Sequence, residues 1–334
     1  MDEVIRYVDT ASAGGNGTTS ELTGENAAYA SLFAWEAAEN VNLFTAGNWH
    51  HVYVKATNGD VDSTAVTIDG WTTGEANYIL IEAADSDKAV KTSFDTSKYR
   101  LTAILSIAED YVRILGVQFA NTSTYSNCIS YGGIGATNDI RIERCRIRAD
   151  ATGTEGIYFA DADAILTLNN NIIESTGTYG NMGIRIGAGT VNVYNNAVIG
   201  FSDDGINIAS GATVVIKNNA IFNNADDIAD AASSTIEYNA ADDDLDTEYT
   251  ETTNIQPAGA WTNEFASATD LTLLVGSALK LAGVGPGTDA AVPVIDIDGT
   301  TRSGATTSIG PDEYEETGSS VMPVAMQYYR RLHN

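Results

Sequence analysis

Asp204 and Asp227 are the carboxylates of this sequence best placed to act as a pair. Each stands just ahead of a short alternating segment, and aligning those segments puts Glu155, Met182, Asp204 and Asp227 in one column. At a strand spacing of about 4.8 Å, Asp204 and Asp227 would approach the ~5 Å that a retaining glycoside hydrolase requires between its two carboxyl groups. A second chemistry is offered by RIERCRIR, in which Arg141, Arg144, Arg146 and Arg148 crowd into eight residues. With the period of a strand, Arg144, Arg146 and Arg148 point the same way. Such a stripe could grip the carboxylates of an acidic glycan or, centred on Arg146, supply the cation that a polysaccharide lyase uses as base. The competing reading is an outward face neutralised by Asp and Glu of adjacent repeats.

Other candidates are sparser. From residue 150 to 300 the cations are Arg185, Lys217 and Lys280, thin machinery for a lyase. No cofactor motif occurs, and structural calcium is the ion the sequence would suit, at Asp161 and Asp163, at Asp242 to Asp244, or at Asp296 and Asp298 ahead of Gly299. Cys128 and Cys145, with no histidine near them, read as buried thiols rather than nucleophiles. Trp49, Tyr53, Trp71, Tyr158 and Tyr194 would stack on sugar rings if exposed and fill the interior otherwise.

The elements that must position these groups are repeated. Similar segments start at Val112 (VRILGVQF), Ile140 (IRIERCRI), Leu166 (LTLNNNII), Val191 (VNVYNNAV) and Val214 (VVIKNNAI), 23 to 28 residues apart. Between them recur CISYG, GIYFA, GIRIG and GINIA. Two alternating strands per unit, joined by Gly, Asn and Asp, cannot bury an apolar face alone, so the units must stack as a solenoid. Asn170 and Asn171, Asn195 and Asn196, Asn218 and Asn219 then fall in register, where amides can bond along the axis. The stretch Ala27 to Glu39, with Leu32, Trp35 and Ala38 three apart, reads as a helix covering the first coil.

With 17 Lys and Arg against 45 Asp and Glu, the chain carries a formal charge of −28. That repels nucleic acid and anionic lipid. The first residues have neither a basic nor an apolar run, and no apolar stretch reaches 18 residues, so no export signal and no membrane insertion is expected.

The opening RYVDTASAGGNGT, the NN-turn repeats and the ending DIDGTTRSGATTSIGPDEY resemble the class of right-handed parallel β-helix repeat proteins. The combination with a short appended tail is similar to phage-encoded β-helix virion proteins: head decorations, fibres and spikes. SDDGINI also resembles the paired aspartates of polygalacturonases, although the GHG and RIK sequences of that family are missing here.

The tail itself, VMPVAMQYYRRLHN, follows a flexible TGSS joint. Val321, Met322, Val324, Met326, Tyr328, Tyr329 and Leu332 offer apolar surface, with Arg330 and Arg331 beside it to meet carboxylates. Its burial and its ordering cost roughly cancel, so a single tail anchors marginally and several together anchor well. The alternative is a tail folded back over the last coil.

The sequence therefore predicts an all-β, right-handed parallel β-helix: a capping segment with a short helix over 1–48, coils over 49–240, irregular last coils and a distal cap over 241–316, and a docking tail over 317–334. The expected function is a non-enzymatic virion structural protein, a capsid decoration or fibre at the virion surface. It would be held to a capsid or tail protein through its tail, as a homo-oligomer for which a trimer is one arrangement, with glycan adhesion along its flank. The alternatives are a polysaccharide-degrading enzyme and a bacterial adhesin at the cell surface or outside the cell.

Overall fold

Apolar side chains at every second position decide which way each strand faces. In the computed structural model, which describes residues 2–132, 138–176, 180–230, 234–242, 253–255 and 261–315, those side chains stack in columns. Leu166, Val191 and Val214 pair in register, as do Leu168, Val193, Ile216 and Ile236, and every one is buried. All strand pairs of the solenoid are parallel, each strand bonding to its counterpart one coil on.

Three faces result. The first runs from Val66–Ile68 through Leu105–Ile107, Asn127–Tyr131, the start of Glu155–Asn169, the start of Ile184–Tyr194 and Asp204–Ile208 to Asp226–Asp230. The second runs from Asp2–Asp9 through Asn48–Lys55, Ile79–Ala83, Val112–Leu115 and Asn138–Glu143, then the ends of the two long strands, to Thr213–Lys217 and Thr235–Glu237. The third holds seven short strands, Arg100–Leu101 to Ala240–Ala241. The architecture is a right-handed parallel β-helix of about seven coils.

The NN pairs divide their labour. The first residue of the turn from second to third face is left-handed in successive coils, at Gly116, Arg144, Asn170, Asn195, Asn218 and Tyr238, and Asn is the non-glycine residue that tolerates this best. The second residue turns inward. Asn171 donates to Asn196 (2.9 Å), Asn196 to Asn219 (3.0 Å), Asn219 to Asn239 (3.0 Å) and Asn239 to Asn254 (3.3 Å). Each amide also donates to a backbone carbonyl, so the buried polar groups of the ladder are satisfied.

At the N-terminal end the helix Leu32–Glu39 is capped by Ser31 and buries Trp35, which stacks on Trp71 at 5.4 Å. It is shorter than the sequence suggests, because Tyr29 bridges to Val8 instead. Asp2–Asp9 is likewise not part of a cap: it pairs along its whole length with Asn48–Lys55 and is the first rung of the second face.

Residues 261–315 differ from the expected distal cap. They run back along the outside of the third face, where Phe265, Leu271, Leu273, Leu279, Ile297 and Ile309 cover Ile172, Ala197, Ile199, Ala220 and Phe222. The DxDGxxR…IGxDE ending locks this strap down. Asp296 accepts N–H bonds from Asp298, Thr300 and Glu313, while fully buried Arg302 reaches Glu313, Asn170 and the Gly310 carbonyl. Asn195 and Asn218 donate to the strap at Ser308 and Val284. The tail residues Val321, Met322, Val324, Met326, Tyr328, Tyr329, Arg330, Arg331 and Leu332 lie outside the described residues.

Candidate functional site

With the third face covered by the strap, the outward side of the first face is a broad surface on which side chains from successive coils meet. Its outward column reads Asn127, Glu155, Met182, Asp204, Asp226, because Asn127 pairs with Glu155, Ile184 with Ile206, and Asp204 with Asp226. The sequence alignment chose Asp227 for the last place and was one residue out. Asp227 occupies the position of Gly156, Gly183 and Gly205 in earlier coils, on the other side of the sheet. A Cβ at Gly205 would stand 2.7 Å from the Asn224 amide, which shows how closed that side is. Asp227 is buried there and accepts from the Asn224 side chain (2.9 Å) and the Asp242 N–H (3.0 Å). Two adjacent aspartates leave the phase of a strand undetermined in the sequence, and a slip of one residue reverses the side.

The arginine stripe is dispersed as well. Arg144 sits in the left-handed turn and not in the strand. Arg146 does face outward, but the strap buries it: Glu174 meets it with two bonds (3.1 and 2.7 Å), and the carbonyls of Val90, Lys91 and Thr269 take its remaining donors. Arg148 shares Glu174 at 2.9 Å and lies over the Phe94 ring. Glu174 on the next coil does what the neutralisation reading required, so Arg146 is available neither to a glycan nor as a base.

Three of the calcium candidates are engaged by the protein itself, while Asp243 and Asp244 lie outside the described residues. Asp161 accepts the Asp163 N–H in a local turn, Asp296 is saturated by three N–H donors, and Asp298 pairs with Lys91 at 3.0 Å. Burial pushes both Cys128 and Cys145 thiols up to about 12, so neither is a thiolate at neutral pH. Trp71 and Tyr194 are interior, whereas Trp49, Tyr53 and Tyr158 are partly open.

The first face instead assembles a cleft of about 460 Å³ that the sequence does not single out, around Tyr125, Asn127, Glu155, Tyr158, Asn181 and Arg185. Arg185 spans its floor, bonded to Glu155 at 3.0 Å and 5.1 Å from the Tyr158 ring centroid. The Asn127 amide, oriented to donate, reaches the other Glu155 oxygen at 3.1 Å. Burial raises the Glu155 carboxyl above its ordinary range, and Arg185 opposes that. Two coils on, burial raises Asp204 too, its Asn207 hydrogen bond opposing and the charges of Asp203 and Asp226 adding to it.

Tyr125 forms the wall. It is 83% exposed, yet its backbone is left-handed, φ 54°. Its counterpart one coil later is Gly153, φ 70°, whose missing side chain leaves the space that the Tyr125 ring occupies: a Cβ there would lie 2.5 Å from the ring. A periodic signal was available, since Tyr125 stands two residues before the start of its strand, where the next coil has Gly153.

Residues 134–247 match the family model described as the right handed beta helix region. No curated protein matches the chain. Among solved structures, the crystal structure of pectate lyase Pel9A aligns with 94% of this chain and 97% of its own, at 14% identity and a TM-score of 0.42.

Proposed function

We propose that the chain is a non-enzymatic, glycan-adhesive rod of a virion surface, a capsid decoration or fibre protein, holding neutral sugars in the first-face cleft and attached through residues 317–334. The observation that carries the adhesive part is Tyr125. A tyrosine held at positive φ costs about 1–3 kcal/mol where glycine would cost nothing, and a ring left almost wholly in water returns little of that by burial. An aromatic ring kept there at a cost, above Arg185, Glu155 and Asn127, suits the apolar face and hydroxyl rim of a pyranose. Neutral sugars are favoured because Arg146 is buried, Arg148 is paired with Glu174 and a −28 chain repels anionic glycans.

The setting rests on the acidic rod and the apolar, basic tail, which binds well only in numbers, as on a capsid lattice or in a trimer. A glycan array probed with the full chain and with Tyr125→Ala tests adhesion: neutral glycans are expected to bind, with about tenfold loss in the variant. Binding confined to acidic glycans, or unchanged in Tyr125→Ala, would sink it. Mass spectrometry of purified particles tests the setting, through copies of this chain per coat protein.

A second reading, hydrolysis, is favoured by one observation. Glu155 and Asp204 line the same face two coils apart, about 9.6 Å at the strand repeat and near the separation of an inverting pair, with both carboxyls raised by burial. Release of reducing ends from a bound polysaccharide, abolished in Glu155→Gln, would establish it.

A further inference from the structure

We infer that the N-terminal coils carry a second saccharide site, independent of the first-face cleft and on a different face. Tyr7, Tyr53 and Glu82 occupy one outward column of the second face. The two tyrosine rings stack at 5.8 Å and 21°, forming the floor of a trough of about 440 Å³, a volume in the range of small-ligand sites. Ser20, Ala28, Ala84 and Asp85 also line it.

The polar rim separates this trough from a merely structural ring stack. Among the described residues, the Tyr7, Tyr53 and Ser20 hydroxyls and the Lys55 ammonium have no hydrogen-bond or ion-pair partner, although acids outnumber bases by 45 to 17 in this chain. The carboxylates nearby are spoken for. Asp9 accepts the N–H groups of Ala11 and Thr57, Glu82 meets His51 (2.9 Å) and Lys88 (3.1 Å), and Asp85 meets Lys88 (2.7 Å). An aromatic floor with unspent hydroxyl and ammonium donors fits a hydroxylated ring, and the anionic surroundings select a neutral one over a uronate.

The test uses the full chain on a glycan array, with Ser20→Trp, which fills the trough from an exposed loop position, and Lys55→Met, which removes its ammonium. Both should weaken one set of neutral glycans by about tenfold or more, a set that Tyr125→Ala leaves within about twofold. The inference is overturned if no glycan binds, if Ser20→Trp and Lys55→Met leave every bound glycan within about twofold, or if every loss also follows Tyr125→Ala. Loss in the trough variants with none in Tyr125→Ala would retain this site and remove the first-face one.

Discussion

At the scale of single residues, Tyr125 and Arg146 show how differently a conspicuous side chain can be used. Tyr125→Gly should relieve the left-handed backbone while giving up little buried area. It is therefore expected to stabilise the fold by about 1 kcal/mol in urea denaturation while weakening glycan binding in the first-face cleft by about tenfold or more. A destabilised variant would mean that the ring is structural. Arg146→Ala takes from buried Glu174 its two-bond partner, leaving Arg148 alone to pair it, and should cost about 3 kcal/mol, measurable as a lowered urea midpoint. The sequence makes Arg146 visible and hides its fate, because what covers it comes from residue 269, more than a hundred positions away. Tyr125 is the reverse case: its meaning lies in the glycine of the next coil, which only the register reveals.

At the scale of elements, the asparagine ladder and the third face were legible to different degrees. The repeated NN pairs give away the ladder, since Asn at the same place in successive coils can bond amide to amide along the axis. Asn196→Leu should strand the donors and acceptors above and below it, costing about 2–4 kcal/mol and opening the coils around Leu168 and Asn219 to hydrogen exchange. The strap was harder to read, although a sign of it exists. Segments IIE, AVI and AIF are buried at all three positions and lack the alternation of the other faces, which is how strands covered on both sides look. The corner between the first two faces adds a pH dependence. Burial first, then Asp69 and Asp110, pushes Glu109 from 4.5 up to about 7, with the raised Glu36 and Asp110 nearby. The fold thus holds this proton more tightly than the unfolded chain does. The stability it contributes is fully present below about pH 4.5 and is lost as pH rises through 7, and Glu109→Gln should flatten that slope in Tm between pH 4.5 and 7. A slope unchanged by the substitution would place the effect elsewhere.

At the scale of the whole molecule, the rod is a stack of coils made cooperative by its strap. A bare solenoid is nearly additive and can fray from its ends, but contacts from 261–315 to Lys91, Arg146, Asn170, Asn195 and Asn218 tie several coils together. Removal of residues 317–334 is expected to leave Tm unchanged within a degree or two and to eliminate attachment to particles in a sedimentation assay. A large fall in Tm would instead place the tail in the fold. The strap also decides how the rod would bear a load. Its last described residues, Tyr314 and Glu315, are fixed to Ser308 and Thr300, close to the turn at Asn170. A pull applied through the chain beyond them would reach the stack through these contacts, near the coil of Asn170 and not through an end coil. The end coils are spared the peeling that would open them one at a time.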